Sequence, residues 1–400
     1  MRFTIRVKTL ILLFLKQTIA MHPFKKYFIT LICIVLINNS CIDKYIPPIG
    51  SQDSHNIAIF GQITDSEGYQ TVTISNSTSI IFVNSPQFDP VSGCTVTLHD
   101  NLGNSFNLDE YQPGLYRVWM TKDLLKPGTS YKLNVTTSSG EEIESDYDQL
   151  PECPKIDSVY YVRKDIPTTN PDKPLQGIQF YIDMDVTNVS SHYFKWEIEE
   201  TYEHHAVYPK KTYWDGKTIK IANPPDYSMM VCWSTEKLKN HYTLSTENLA
   251  QKKIIMHPLH FVDNLTQRLT YGYSILVSQY ALSPSAYIFW EQQRENNELG
   301  GLYGKQPINV KGNLKNLTSP SKKVLGIFQT TSVRTKRIFV RNIANLELYY
   351  PKCDPEAPPF ALPKNSPVII YLWEGGKLET ACVECFAEGG STTKPDFWPY

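Results

Sequence analysis

Short stretches in which apolar and polar residues alternate recur from residue 56 to residue 150. Alternation with a period of two is typical of β-strands that bury one face, and several of these stretches are rich in β-branched residues. Most are bounded by Gly, Pro, Asn or Asp, which favour turns. The stretches are 56–64, 71–75, 94–100, 114–120 and 130–136. Short strands at this spacing predict a β-sandwich over residues 56–150.

A break at residues 150–154 separates this region from a second one, because Pro151 and Pro154 interrupt regular structure there. Residues 155–400 again contain alternating stretches, and in 180–186 an apolar residue occupies every second position. We therefore predict a larger β-rich domain over residues 155–400. The first region is similar to the small immunoglobulin- or transthyretin-like modules of bacterial surface proteins, where it would serve as a spacer.

One amphipathic helix is predicted over residues 283–299. Ser283 is a good N-cap, Pro284 suits the first helical position, and two glycines follow residue 299. Helical spacing places four residues on one face, namely Ala286, Phe289, Trp290 and Gln293. We expect that face to pack on the sheet. The polar side and the following loop, 300–313, are then candidates for a ligand or partner surface, carried by Glu291, Arg294, Glu295 and Glu298.

The start of the chain has the pattern of an export signal. In residues 21–41, Lys25 and Lys26 precede an apolar run over 27–37, and three small polar residues lead to Cys41. The run is shorter than the roughly 20 residues that a permanent membrane-spanning helix needs. The position of the cysteine resembles a bacterial lipobox, which predicts cleavage before Cys41 and acylation of that residue, including palmitate. A plain secretory signal with an incidental cysteine is the alternative.

Residues 1–40 are accordingly assigned to the signal peptide. Residues 1–20 carry a basic and apolar pattern of their own, so Met21 is an alternative start. Residues 41–55 are polar and contain a Pro-Pro pair, which predicts an extended, lipidated tether. Acyl chains on Cys41 would hold the protein at the membrane, and we expect an outer-membrane location on either the periplasmic or the surface face.

The length and charge of the chain limit its class. At 400 residues it exceeds what one hydrophobic core usually supports, so two domains are expected. The formal net charge is −1, and the leader contributes basic residues only, so the remainder is mildly acidic. This balance argues against a nucleic acid as partner.

Six cysteines remain after the leader and the lipidated residue are set aside: Cys94, Cys153, Cys232, Cys353, Cys382 and Cys385. An even count in an exported chain indicates disulfides. We predict a Cys94–Cys153 bond in the first domain. Within the second domain we predict that Cys382 and Cys385 each pair with a distant partner, because a bond between residues so close in sequence constrains the unfolded chain little. Redox or zinc chemistry at this C-x-x-C pair is a weaker alternative.

Candidate catalytic and metal chemistry is sparse. Five histidines could contribute to a metal site, but no recognised ligand spacing joins them, and we expect hydrogen-bonded histidines on β structure. They are His204, His205, His241, His257 and His260. Glu197, Glu199 and Glu200 cluster on one strand and indicate a solvated face. The sequence has no phosphate loop and no nucleophile elbow. We predict no catalytic residue, no metal and no cofactor.

Aromatic residues are frequent, with 25 Tyr, 17 Phe and 7 Trp. Such side chains form cores and cross-strand pairs in β proteins, and they also form binding platforms. Four of them flank the turn-rich stretch 215–228 and are candidates for a binding rim, namely Tyr213, Trp214, Tyr227 and Trp233.

Several segments in a fixed order carry a family resemblance. They are 41–45 with Pro47, 61–65, 90–93, 300–313, 324–328, and the tail formed by 382–385, 389–390 and 394–398. Together they resemble the domain-of-unknown-function 4249 family of Bacteroidetes outer-membrane lipoproteins, which are usually encoded beside TonB-dependent receptors. The resemblance implies a lipoprotein with a role in nutrient uptake, and it supplies no catalytic residues.

We therefore expect a non-catalytic accessory to a TonB-dependent outer-membrane receptor in the capture of an unidentified nutrient. A structural or adhesive surface protein is one alternative, and a hydrolase of unrecognised type is another. Recovery of a receptor together with the protein would distinguish the uptake accessory from a structural or adhesive protein. Loss of an activity on mutation of a pocket carboxylate would indicate the third.

Overall fold

Strands dominate the computed structural model, which describes residues 56–77, 89–298, 309–357, 370–373 and 376–400. The expected mostly β fold is confirmed. The predicted signal peptide, Cys41 and the tether 41–55 lie outside the described residues, as does most of the loop 300–313.

The first group of strands surrounds one hydrophobic core. These strands are β1 Ile57–Thr64, β2 Gly68–Asn76, β3 Asp89–Pro90, β4 Thr95–Asp100, β5 Ser105–Gln112, β6 Leu115–Met120, β7 Ser130–Thr136, β8 Glu142–Ser145 and β9 Asp148–Gln149. Strand β5 pairs with β4 through its first half and with β6 through its second half, so the sheet folds back over itself. Alternate residues such as Ile59, Ile63 and Leu98 fill the space inside. The immunoglobulin- or transthyretin-like topology stays a prediction.

The second group comprises β10 Ile156–Ile166, β11 Leu175–Asp185, β12 Tyr193–His205, β13 Lys210–Trp214, β14 Ile219–Asp226, β15 Val231–Lys237, β16 Tyr242–Ser245, β17 Lys253–Asp263, β18 Gly272–Leu282, β19 Leu314–Asn316, β20 Leu325–Val340, β21 Ile370–Trp373 and β22 Gly376–Leu378. Helix α1 spans Pro284–Glu298, and short 3-10 helices span Gln267–Leu269, Thr380–Cys382 and Cys385–Glu388.

The short strand β19 pairs with β8 of the first group, and the long strand β20 connects the two groups. Its first part runs parallel to β1, and its second part runs antiparallel to β18, so one long sheet has the order β15-β12-β18-β20-β1-β2-β6-β5-β4-β7-β8-β19. Gly326 lies where β20 meets β1, at φ +91°, and a Cβ there would be 2.0 Å from the carbonyl oxygen of Ile59. Only glycine fits that approach. The strand contributes Phe328 to the first core and Val340 to the second. The predicted boundary at 150–155 stays a prediction.

The second core lies between two sheets. Strands β10, β11 and β17 form a separate sheet that packs on one face of β12 and β18. Phe180, Ile182 and Met184 of β11 are buried there, in agreement with the alternation in the sequence. The indole of Trp196 donates a hydrogen bond to the side-chain oxygen of Gln279 at 3.1 Å, so the largest side chain of this core has a polar partner.

Two disulfides hold the C-terminal segment. Cys232 bonds to Cys385, and Cys353 bonds to Cys382, beside the small sheet β14-β13-β21-β22. The prediction of distant partners for Cys382 and Cys385 is confirmed.

The predicted Cys94–Cys153 bond is wrong, because both thiols are free. Cys94 packs against the first core, whereas Cys153 is buried in the second, where its thiol lies 3.7 Å from the carbonyl oxygen of Gln279.

Candidate functional site

Helix α1 packs on the long sheet in the way its sequence predicts. The hydroxyl of Ser283 accepts a hydrogen bond from the backbone N–H of Ala286 at 3.2 Å, which is an N-cap. Ala286, Phe289 and Trp290 are buried against the sheet, whereas Gln293, expected on the same face, is only partly buried. The indole N–H of Trp290 donates to the side-chain oxygen of Gln329 on β20 at 2.7 Å. The helix is therefore fixed at the point where the two groups of strands join.

A lysine is buried beneath this helix. The side chain of Lys195 on β12 has no exposed surface. Its ammonium lies 3.5 Å from the centroid of a Trp290 ring and 2.8 Å from a carboxylate oxygen of Glu197. Tyr280 of β18 lies beside them, with its ring 5.0 Å from the ammonium. Burial lowers the pKa of the Lys195 ammonium, and the charge of Glu197 opposes that effect.

Glu197 joins three polar groups. Its second oxygen is 2.6 Å from the ammonium of Lys237 and accepts the hydroxyl of Tyr280 at 3.1 Å. Burial alone would raise the pKa of Glu197, but the two ammonium groups outweigh it and lower that pKa to about 2. The carboxylate of Glu197 thus lies between the side-chain nitrogens of Lys195 and Lys237.

A recess of about 280 Å³ opens next to this group of side chains. It is lined by Lys239, Asn240, His241, Arg294 and Asn297. The ring of His241 lies 4.9 Å from a Trp290 ring. Burial lowers the pKa of His241, and the charge of Lys195 lowers it further. Basic and amide side chains line the recess, and no carboxylate among the described residues does, so its hydrogen-bond donors favour an anionic group.

The polar side of α1 is only partly open. Glu291 and Arg294 are half-buried and bound to each other, with the guanidinium Nε 3.2 Å from a carboxylate oxygen. The carboxylate of Glu291 also accepts a hydrogen bond from the hydroxyl of Thr243. Glu295 is exposed, and the side chain of Glu298 lies outside what the structure describes. Of the predicted surface residues, Arg294 therefore lines the recess, and Glu295 faces solvent beside it.

Three of the four predicted rim aromatics lie in or next to the small sheet, and the fourth lies on the long sheet. Tyr213 and Trp214 are on β13 of the small sheet, Tyr227 is an exposed turn residue, and Trp233 is on β15 of the long sheet. Tyr213 packs near the Cys353–Cys382 disulfide. Among the described residues no ring contact joins the four, and their assignment to a binding rim stays a prediction.

The candidate histidines have separate partners. In the described part of the chain no three His, Cys, Asp or Glu side chains are grouped as a metal ion would require. The nearest partners are Ser234 for His204 at 3.0 Å, Glu203 for His205 at 2.8 Å, Trp196 for His257 at 4.9 Å between rings, and Tyr242 for His260 at 3.1 Å.

The expected solvated face of glutamates is wrong for two of the three residues. Glu197 is largely buried and is bound to Lys195 and Lys237, as described above. Glu200 is 1% exposed and points to the opposite face of β12, where it accepts hydrogen bonds from Arg268 at 2.8 Å and Tyr273 at 2.7 Å. Sequence reasoning missed the Lys195–Glu197 pair. The sequence pattern that could have indicated it is a lysine and a glutamate two residues apart on one strand, because that spacing places both side chains on the same face.

A family model described as "Domain of unknown function (DUF4249)" matches residues 42–337. The chain belongs to this family. The match covers strands of both cores and the whole of helix α1. It ends before the C-terminal segment 382–398, which also contributed to the sequence resemblance. No curated protein matches this DUF4249 chain. None of the described helices is both long enough and apolar enough to cross a membrane.

Proposed function

We propose that this DUF4249 protein is an outer-membrane lipoprotein that assists a TonB-dependent receptor in nutrient capture and is not itself a catalyst. The leader pattern ending at Cys41 supports the lipid anchor. The family resemblance supports the receptor, because such lipoproteins are usually encoded beside one. Helix α1 and the recess beside it then form the contact surface for the receptor or its ligand.

The recess is the observation that carries this proposal. A rigid helix and the residues after β15 present Lys239, His241 and Arg294 together. A carboxylate or phosphate of a partner could enter without meeting a carboxylate among the described residues that line the recess. Electrostatic complementarity of this kind mainly raises the association rate and selects the partner.

Affinity capture tests the proposal. The tagged lipoprotein, taken from detergent-solubilised outer membranes, should recover a TonB-dependent receptor. Lys239→Glu should reduce that recovery without changing the melting temperature, since Lys239 is exposed. Lys126→Glu is the matched control, because Lys126 is also an exposed lysine but lies in the loop between β6 and β7, and it should leave recovery unchanged.

Two results would contradict the proposal. The first is that no receptor is recovered and that deletion of the gene leaves growth on every tested nutrient unchanged, which would favour a structural or adhesive role. The second is an enzymatic activity of the purified protein that disappears on replacement of a carboxylate, which would favour a hydrolase.

A further inference from the structure

A second group of polar and aromatic side chains lies on the long sheet, on strands of the first group. It consists of Tyr69 on β2, Tyr111 on β5, and Arg117 and Trp119 on β6, and we call it the Arg117 site. Tyr69 is directly opposite Trp119 in the β2–β6 register, and Arg117 is opposite Asp109 in the β5–β6 register. Alternation along β6 directs Tyr116 and Met120 into the core, so Arg117 and Trp119 lie on the outer face.

The guanidinium of Arg117 is held between two rings. Its central carbon lies 4.1 Å from the centroid of Tyr69 and 4.4 Å from that of Tyr111. These are cation–π distances. Among the described residues no oxygen accepts a hydrogen bond from this guanidinium, and no carboxylate forms an ion pair with it. Arginine carries five N–H donors in a planar fork. The site therefore holds the fork in place and leaves its donors unused.

The position of Tyr111 follows from an irregularity in β5. The register between β5 and β6 shifts between Glu110 and Gln112, so Tyr111 is the extra residue of a bulge. Each carboxylate oxygen of Glu110 accepts a backbone N–H at 2.9 Å, one from Gly93 and one from Gly114. Glu110 thus ties the bulge to two neighbouring turns, and the ring of Tyr111 is held over the arginine.

The rings around the arginine are open to solvent. Trp119 is 55% exposed and Tyr69 is 54% exposed, with their centroids 5.1 Å apart in an edge-to-face arrangement. Isolated apolar residues are common on protein surfaces and need no explanation. Here three exposed rings surround an arginine with unused donors, and that combination indicates a ligand with both a hydrophobic face and an anionic group.

We propose that the Arg117 site binds an acidic oligosaccharide, one whose sugar units carry a carboxylate. The fork of Arg117 matches a carboxylate in a bidentate arrangement. The exposed face of the Trp119 indole can pack against the C–H face of a sugar ring. Tyrosine and tryptophan rings have few rotatable bonds, so little conformational freedom is lost on binding. The site shares no residue with the α1 recess and does not depend on the receptor proposal.

Neighbouring charge selects this ligand class over a more strongly charged one. Asp109, directly across the strand pair from Arg117, is exposed, and the site contains a single cation. A polyphosphate or a polyacidic peptide would place several negative charges near Asp109, and only one of them could pair with the guanidinium of Arg117. A uronic-acid unit brings one carboxylate and a large uncharged ring, which matches one guanidinium beside one indole.

Calorimetric titration of the exported chain, purified without its leader, tests this proposal. The probes are the trisaccharides of galacturonate and mannuronate and a hyaluronan hexasaccharide, with neutral galactotriose and hexaglutamate as comparisons. At least one acidic saccharide should bind, and Arg117→Gln should weaken it about tenfold or more, as expected for a lost charged hydrogen bond. Arg117→Lys should restore part of the affinity, because it keeps the charge and loses the fork.

Two further variants separate binding from folding. Trp119→Ala should also weaken the acidic saccharide, whereas Tyr227→Ala, which removes a similarly exposed ring elsewhere, should not. Circular dichroism should be the same for all variants. The proposal is overturned if no acidic saccharide binds at millimolar concentration, if galactotriose binds equally well, or if Arg117→Gln has no effect. Tighter binding of hexaglutamate would also overturn it and indicate an acidic peptide.

Discussion

Replacing Glu197 by Gln tests the buried ion pair under helix α1. Lys195 has no exposed side-chain surface, and Glu197 is the carboxylate that its ammonium contacts, at 2.8 Å. In the variant the ammonium of Lys195 still contacts the Trp290 ring, but it no longer has the negative charge of Glu197 beside it. Breaking a buried pair by removing one partner costs about 3–5 kcal/mol. The glutamine oxygen still accepts a hydrogen bond, so we expect the lower end of that range, about 3 kcal/mol.

Replacing the lysine of this pair should lower the free energy of unfolding by less. Lys195→Met leaves Glu197 paired with Lys237 at 2.6 Å, so we expect a loss of about 1–2 kcal/mol. The double variant removes both charges and leaves neither unpaired. The double variant should be more stable than Glu197→Gln alone. Its decrease in the free energy of unfolding should be smaller than the sum of the two single-variant decreases by at least about 1 kcal/mol.

Urea unfolding followed by circular dichroism at pH 7 measures these free energies. The matched control is Asp123→Asn, which breaks an exposed pair with Lys126 at 3.9 Å and should cost less than about 0.5 kcal/mol. The reasoning is refuted if Glu197→Gln costs no more than Asp123→Asn, or if the two single losses simply add in the double variant.

Three further predictions concern titration, disulfides and the anchor. Burial raises the pKa of the Asp148 carboxyl, so the folded state binds this proton more tightly than the unfolded chain does. The free energy of unfolding of the wild type minus that of Asp148→Asn should therefore decrease as pH rises through the folded pKa. An increase of this difference with pH would contradict the prediction. Cys353→Ser opens a loop of 29 residues to Cys382 and should lower the free energy of unfolding by about 3–4 kcal/mol, whereas Cys94→Ser, at a free thiol, should have a smaller effect in the same urea assay. Cys41→Ala should abolish palmitate labelling and release the protein from the outer-membrane fraction, and persistent labelling would show that the anchor lies elsewhere.

Features set by local sequence could be predicted. The cap at Ser283 depends on residues within one turn, and the buried face of α1 depends on helical spacing, so both agree with the structure. The alternation in β11 likewise identified its buried face. Loop entropy was enough to exclude a bond between Cys382 and Cys385, although it could not name their partners.

Features set by long-range packing could not be predicted. The Cys94–Cys153 error arose because sequence position placed Cys153 with the first domain, whereas its side chain packs in the second core. The Lys195–Glu197 pair is stabilised by Trp290, which is far away in sequence. The Arg117 site was missed for the same reason, because a bulge at Tyr111 and the pairing of β2 with β6 bring its members together.

Photo-crosslinking from helix α1 tests the central claim most directly. A benzophenone amino acid in place of Glu295, which is exposed beside the recess, should crosslink in intact outer membranes to a TonB-dependent receptor identified by mass spectrometry. The control position is Asp123, whose side chain is 94% exposed in the turn between β6 and β7. The account predicts a receptor adduct from position 295 and none from position 123. Absence of a receptor adduct from position 295, or equal adducts from both positions, would contradict it.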